Sequence, residues 1–321
     1  MHASARTLGG KGFMRLLITG GAGFIGSNLS RLALQEGLQV RVVDDLSTGY
    51  ADNVDGLDLD FRQGSILDPA VIGPAMAGVD SVMHLAALGS VPRSVADPVA
   101  SHHANATGTL LVLEAARAAG VGHLMVSSSS SVYGLNPALP KNERQWVRPM
   151  SPYAVSKLAT EQYVLAYQQC YGMDTLAFRF FNVYGPRQRP GHAYAAVIPI
   201  FLDHLLKGEP LSVNGDGLHS RDFTYVGTVC RVLLDGVCRR VTHPEPVNLA
   251  FGTNTTLLEL VSGLEEVTGH SATVVHRPER PGDVRASQAD NAVLRSLFPQ
   301  IDSVPLIDGL RQTARWMEGL K

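Results

Sequence analysis

Arg15-Leu16-Leu17-Ile18-Thr19 runs directly into Gly20-Gly21-Ala22-Gly23-Phe24-Ile25-Gly26, and the reading of this stretch decides the fold. A short apolar run closed by glycine suits a buried parallel strand. The glycines at 20, 23 and 26 then open a helix-like segment over residues 27–37, with Ile25, Leu29, Leu32 and Leu34 as apolar positions. Strand, glycine turn and helix make an anion site, because bare backbone N–H groups and a positive helix end can face a diphosphate. The next strand-like run, 39–43, ends at Asp44-Asp45. A carboxylate there can accept the ribose hydroxyls of an adenosine and would repel a 2′-phosphate. The competing reading is a structural glycine turn with an acid that caps the following loop.

The alternation continues. Residues 60–66 read as a third strand and its exit loop, and 81–87 as a fourth, where a hydrogen-bonded histidine at the strand end is the reading of His84 preferred over a catalytic one. A helix over 101–119, a strand over 122–126, a long helix over 153–171 and a strand over 175–180 follow. This order predicts an α/β protein: a Rossmann-type, doubly wound parallel sheet with helices on both faces. The crevice beyond the strands' C-terminal ends then holds the ligand. From about residue 182 glycine- and proline-rich loops alternate with short helices, including 197–207 and 256–268. The expected division is a lead-in at 1–13 without order, a dinucleotide-binding domain at 14–181, and a smaller, interleaved C-terminal substrate region at 182–321. The two long helices could form a dimer interface or pack within the monomer.

A second stretch carries the chemistry. Ser127 to Ser131 is a serine run at the end of an apolar strand, and Tyr153 and Lys157 follow at i and i+4. On a helix starting after Pro152, both side chains share one face. An ammonium beside a phenol favours phenolate, which would turn Tyr153 into an acid/base, with a serine hydroxyl placed to share its proton. An unrelated tyrosine and lysine on a surface helix is the plain alternative.

Composition bounds the rest. The 321 residues are 45% hydrophobic and 17% charged, with net charge -2, which gives no support for a nucleic-acid or membrane-surface partner. Cys170, Cys230 and Cys238 lack metal-ligand spacing, and free thiols are expected. No apolar run reaches transmembrane length.

Taken together, the chain from Met14 on resembles an extended short-chain dehydrogenase/reductase. The marks are Thr19-Gly20-x-x-Gly23-x-x-Gly26, Asp44, the serine run, Tyr153-x-x-x-Lys157 and Arg179-Phe180-Phe181-Asn182. Longer strings are similar to the UDP-hexose 4-epimerases, in particular the bacterial branch acting on UDP-N-acetylglucosamine and UDP-N-acetylgalactosamine. They are residues 84–94, 193–199, 214–217 with 220–223, and 282–290.

The resemblance implies NAD as cofactor, a UDP-sugar as substrate, no metal, a homodimer and a cytoplasmic location. It makes Tyr153 the base for the sugar 4-OH, Lys157 the holder of the nicotinamide ribose, and Ser129 a bridge to O4. It places the cofactor on Gly20, Gly23, Phe24, Ile25, Asp44, Asp45, Leu46, Ser47, Thr48 and Gly49. Ser65, Ile66, Leu85, Ala86, Ala87, Asn105, Tyr153, Lys157 and Phe180 complete that set. It places the substrate on Ser90, Ser129, Asn182, Val197, Arg221, Arg280, Asp283 and Ser287, with Arg221 and Arg280 on the diphosphate. Related 4,6-dehydratases carry an Asp-Glu pair where Ser130 and Ser131 stand, and epimerases restricted to plain hexoses carry tyrosine in place of Ser287. A UDP-uronic acid epimerase or another 4-keto sugar enzyme is the alternative, and a non-catalytic NAD-binding protein a more distant one.

Overall fold

The computed structural model describes residues 14–191, 196–279 and 285–320. The expected lead-in, and the substrate candidates Arg280 and Asp283, lie outside the described residues. Seven strands form one sheet: β1 (Arg15–Thr19), β2 (Gln39–Asp44), β3 (Asp60–Gln63), β4 (Ser81–His84), β5 (His123–Ser129), β6 (Asp174–Phe180) and β7 (Val247–Leu249), in the order β7-β6-β5-β4-β1-β2-β3. The pairs β1–β2, β1–β4, β2–β3 and β4–β5 are parallel, as the alternation of apolar runs and helices predicts. Leu16, Leu17 and Ile18 are fully buried, so β1 is covered on both faces.

Helix α1 (Phe24–Gln35) starts three residues earlier than the apolar periodicity suggests, because the glycine turn is tight enough to feed it directly. The expected helix at 101–119 is three pieces. Pro98–His102 is α-helical, His103–Thr107 is a π-turn, and α2 (Gly108–Ala118) resumes the α-helix. The strand expected at 122–126 runs on to Ser129 and takes in the first three serines. Helix α3 (Pro152–Tyr171) is capped by Ser151, whose hydroxyl accepts from Ala154 N.

The chain divides into two compact units. One holds residues up to Gly134, Arg148–Arg179 and Cys230–Val247; the other holds Leu135–Val147, Phe180–Val229 and Asn248 onward. Interleaving therefore goes further than a single boundary at 181/182: residues 135–147 join the second unit and 230–247 the first. The second unit is built from short pieces. Val183–Tyr184 pairs with Thr224–Tyr225, Val274–Arg277 with Leu211–Asn214, and Ser220–Arg221 lies between Thr255–Thr256 and Ala286–Ser287. Helices Val197–Lys207, Leu257–Thr268 and Leu306–Glu318 belong to this unit. The last was not legible as an element in the sequence.

Candidate active site

The first unit brings the glycine loop, Asp44 and the backbone at Ala86 together. Gly20 has φ 71°, and a Cβ on it would sit 2.7 Å from Ala86 N. A side chain at Gly26 would collide with the Gly20 carbonyl. The loop must therefore be bare at both points. Helix α1 begins without a side-chain cap at Gly23 and without an acid in its first turn, which leaves its N-terminal N–H groups to an anion. Asp44 is buried at the end of β2 and fastens the loop. Its Oδ2 accepts from Ala22 N at 2.9 Å and its Oδ1 from Leu46 N at 2.8 Å. Burial raises its pKa above the ordinary carboxylate value, against the pull of these N–H groups. Each carboxylate oxygen can accept a further hydrogen bond, so the ribose hydroxyls remain within its capacity. Bare glycines, an uncapped helix start and an acid at the second strand's end are the features an NAD site requires.

The remaining cofactor candidates differ in how they are used. Leu46 takes a positive φ of 60°, and Ser47 N donates to Asp45 Oδ1, which shapes the loop through Thr48 and Gly49. Leu85 N donates to the Thr19 carbonyl and Ala86 N to Thr19 Oγ1, fixing 85–87 beside the glycine turn. Ser65 Oγ accepts from Leu67 N, whereas the Ile66 side chain belongs to the apolar core, leaving its main chain to any ligand. Asn105 lies in the π-turn and clamps Leu88 through both N and O; its Nδ2 also donates to Ser156 Oγ at 2.9 Å, and Ser156 Oγ donates to the Tyr153 carbonyl. A π-turn puts one extra residue into the helical turn, a common device at functional sites. Phe180 closes β6 and falls in the second unit.

Ser129, Tyr153 and Lys157 all lie in the first unit. The Ser129 hydroxyl pulls the pKa of Tyr153 down. Lys157 Nζ donates to the Ser127 carbonyl at 2.9 Å and is buried, which brings its pKa down to about 8. The expected effect on Tyr153 is reversed in sign. Desolvation of the phenol outweighs the pull of the Ser129 hydroxyl, and its pKa is raised above the ordinary value. Ser128 is turned away, donating to Glu161 Oε2 at 2.9 Å. His84 is held between Thr19 Oγ1 at 2.6 Å and Thr109 Oγ1 at 3.0 Å, a strand-end histidine as expected. Burial, and then the charge of Lys157, lower its pKa to about 3, so it is neutral at pH 7.

The sequence reading missed the support behind these residues. Glu161, one helical turn past Lys157, pairs with Arg179 at 2.7 Å, and both side chains are buried. Arg179 also lies 4.7 Å over the Tyr133 ring. The signal was present: Glu161 continues the Tyr153–Lys157 face at i+4, and Arg179 begins a motif already noted.

The substrate candidates fall mostly in the second unit. Arg221 and Ser287 are Cα partners in adjacent parallel strands, so their side chains leave one face of that small sheet. Between their loops Asp222 is fully buried and accepts from Gly252 N, Ala289 N and Thr253 Oγ1. Asp222 is thus the hub that holds the strands carrying Arg221 and Ser287. Asn182 Nδ2 donates to the Asp222 carbonyl at 3.3 Å. Val197 opens the helix Val197–Lys207. Ser90 is in the first unit, where its hydroxyl caps the helix Val91–Ala96 by accepting from Arg93 N. No helix among the described residues is long and apolar enough to cross a membrane.

The sequence profile of the family described as "NAD dependent epimerase/dehydratase family" matches residues 16–250. A UDP-glucose 4-epimerase of Mycolicibacterium smegmatis is 37% identical over 313 residues, covering 94% of this chain and 98% of that protein. A dTDP-glucose 4,6-dehydratase of Streptomyces niveus is 34% identical over 321 residues, covering 94% and 92%. Among solved structures, a UDP-N-acetylglucosamine 4-epimerase from Methanobrevibacter ruminantium in complex with UDP-N-acetylmuramic acid superposes with TM-score 0.92 at 33% identity. That match covers 97% of this chain and 100% of the other.

Proposed function

The chain belongs to the NAD dependent epimerase/dehydratase family, and from that membership we propose that it is a UDP-hexose 4-epimerase with UDP-N-acetylglucosamine and UDP-N-acetylgalactosamine among its substrates. Its cofactor is NAD. The observation that carries the choice of epimerase over dehydratase is the pair Ser130-Ser131 beside an intact set of Ser129, Tyr153 and Lys157. Elimination of water from a 4-keto sugar needs a general acid and base beside C5 and C6. A serine hydroxyl serves neither role near neutral pH, whereas removal and return of hydrogen at C4 needs only one acid/base.

In this reading Tyr153 Oη takes the 4-OH proton while the C4 hydrogen leaves as hydride, so that C4 becomes a carbonyl. Bound NAD supplies the hydride acceptor and afterwards the donor. Ser129 holds O4 and Tyr153 in one hydrogen-bonded line. Lys157 would hold the nicotinamide ribose with its ammonium. After the keto sugar turns over, hydride returns to the other face of C4 and Tyr153 gives its proton back to O4. The sum is inversion at C4 with no net redox change. Arg221 suits the substrate diphosphate, since a guanidinium pairs with phosphate oxygens in bidentate fashion.

Incubation with UDP-N-acetylglucosamine, UDP-glucose and UDP-glucuronic acid, followed by chromatographic separation, tests the reading. The C4 epimer is expected from the first. A 4-keto-6-deoxy product would instead make the protein a dehydratase, and no turnover of any sugar would remove the enzymatic reading.

A further inference from the structure

Strands β1 and β4 pair in parallel with Thr19 and His84 as Cα partners, so both side chains leave one face of the sheet at its C-terminal edge. On that face the His84 ring is engaged at both nitrogens, Nδ1 with Thr19 Oγ1 at 2.6 Å and Nε2 with Thr109 Oγ1 at 3.0 Å. The far end of this chain fixes its direction. Thr109 Oγ1 donates at 2.6 Å to the carbonyl of Asn105, four residues back along the chain. A carbonyl only accepts, so the Thr109 proton is spent there and its oxygen is left to accept from Nε2. Neutral His84 then carries its one ring proton on Nε2, and Nδ1 accepts from the Thr19 hydroxyl. The Thr19 oxygen in turn accepts from Ala86 N at 3.3 Å. The chain runs one way, from the Ala86 N–H through Thr19, His84 and Thr109 to the Asn105 carbonyl, and all of it lies in the first unit.

We propose that His84, as its Nε2–H tautomer, is a positioning residue that ties together the two clamps on residues 85–88 and so holds the NAD cradle in register with the start of α3. This rests on the reading of residues 85–87 and Asn105 as part of that cradle. The first clamp is Thr19, whose carbonyl accepts from Leu85 N and whose Oγ1 accepts from Ala86 N. The second is Asn105 in the π-turn, which accepts from Leu88 N through Oδ1 and donates to the Leu88 carbonyl through Nδ2. The same Nδ2 donates to Ser156 Oγ, and Ser156 Oγ donates to the Tyr153 carbonyl in the first turn of α3. His84 spans the gap between β1 and the π-turn with a flat, rigid ring whose donor and acceptor point in opposite directions. The tautomer matters. A proton on Nδ1 would turn the Thr19 hydroxyl proton away, and a bare Nε2 would compete with the Asn105 carbonyl for the Thr109 proton.

With both ring nitrogens engaged, His84 has no proton to exchange with a sugar, so its part is to position and not to transfer. Burial, and then the Lys157 charge from α3, oppose an imidazolium, which would donate at both nitrogens and reverse the link to Thr19. Thr160 of α3 supports the far end: its hydroxyl also donates to the Asn105 carbonyl, at 3.1 Å, and lies 3.1 Å from Thr109 Oγ1. Loss of the Thr109 hydroxyl therefore cuts His84 from the π-turn without orphaning the Asn105 carbonyl.

Nitrogen NMR of the NAD-loaded protein, labelled with the heavy nitrogen isotope, reads the tautomer directly. The His84 ring, assigned from its own backbone amide, should show a protonated Nε2 and a bare Nδ1 at neutral pH. A proton on Nδ1, or exchange between the two tautomers, would overturn the assignment. The coupling is read from NAD retention. Thr109→Val keeps the shape of the side chain and removes its hydroxyl. Bound NAD should leave this variant about three- to tenfold faster than wild type on dilution, with faster amide hydrogen exchange over residues 85–88. Thr109→Ser keeps the hydroxyl and should restore both. Asparagine in His84→Asn offers Thr19 an acceptor but is too short to reach Thr109, so in that background Thr109→Val should speed release no further. A histidine that served stability alone would lower the denaturation midpoint of these variants and leave NAD release as in wild type. That outcome, a Thr109→Ser variant as leaky as Thr109→Val, or additive losses in the double variant would overturn the role. If Thr109→Val does not fold, Thr109→Ala takes its place with the same expected release, and the tautomer is read without any variant. Neither measurement needs a sugar. Absence of turnover in the unmodified protein therefore bears on the epimerase reading and leaves the His84 test intact.

Discussion

The two units of this chain solve different problems with different material. In the first, strands of four to seven residues end at one edge of a parallel sheet, and the proposed functional groups sit at or just past those ends. In the second, strands of two to four residues are held by loops, and the organising group is a buried carboxylate, Asp222, that ties backbone to backbone. Moving a proton or hydride demands placement to a fraction of an ångström, which regular strands and packed helices give. Choosing a sugar demands a shaped surface, which loops vary without disturbing the chemistry. The expected division of labour is therefore reaction in the first unit and selection in the second.

Loss of the proposed acid/base is the largest break available. Tyr153→Phe should keep its fold and its NAD, released on denaturation at wild-type stoichiometry. Its turnover should fall ~10²–10⁴-fold, the usual contribution of a general acid–base group. Turnover within a few-fold of wild type would take the reaction away from the first unit's tyrosine.

Next comes the support behind it. Glu161→Gln removes the carboxylate that pairs with the buried Arg179 guanidinium while keeping a hydrogen-bond partner for it. Removing one member of a buried ion pair costs about 3–5 kcal/mol. Chemical denaturation should show a loss of that order, while replacing both residues by methionine should cost less. A denaturation midpoint equal to wild type would mean that the pair does not hold α3 to β6.

These two cases also show what was legible in the sequence and what was not. The strand–glycine–helix opening, Asp44 and the Tyr153–Lys157 spacing are local patterns, and local patterns survive in one dimension. The sign of the Tyr153 shift did not survive, because it depends on burial by residues far along the chain. The same holds for Glu161 with Arg179 and for Asp222 with Ala289, pairs joined only by folding. Ser131 was visible in the serine run but indistinguishable from its neighbours, since only the turn 130–133 separates a hydroxyl aimed at Ser129 from one aimed at Glu161. The π-turn at Asn105 carries no local signal against a continuous helix.

Selection in the second unit should break without harming the reaction. In the turnover mechanism the site must accept the C2 substituent in either sugar orientation. A hydroxyl at Ser287 leaves room and offers a hydrogen bond to an acetamido group; a phenol ring fills that room. Ser287→Tyr should lower kcat/KM on the acetylated pair about ten- to two-hundredfold, the range over which pocket shape discriminates, and spare UDP-glucose and UDP-galactose. A variant that keeps its activity on UDP-N-acetylglucosamine would remove Ser287 from the selecting surface.

The smallest effect, in pH dependence, reads both units at once. Burial brings Lys157 down to about 8 and lifts Tyr153 above its ordinary value. The first proton lost by the pair therefore comes mainly from the lysine. The proposed working state, phenolate beside ammonium, holds the same number of protons as phenol beside free amine, so both tautomers appear in one ionisation of the pair. A cationic nicotinamide would lower both groups, which would bring the midpoint below the value of about 8 for Lys157. Activity should rise with pH up to there, with kcat/KM about tenfold lower for each unit below the midpoint. Stability has its own sign: folded Lys157 releases its proton before an unfolded lysine does, so this group's penalty is full below about 8 and fades as pH rises toward ~10.4. Since both titrating groups belong to the first unit, the midpoint should be the same for acetylated and plain sugars, and unchanged in Ser287→Tyr. Profiles of kcat/KM against pH for both sugar pairs supply the measurement. A midpoint that moves by more than about half a unit, or ~0.7 kcal/mol, with the sugar would show that selection and reaction share titrating groups.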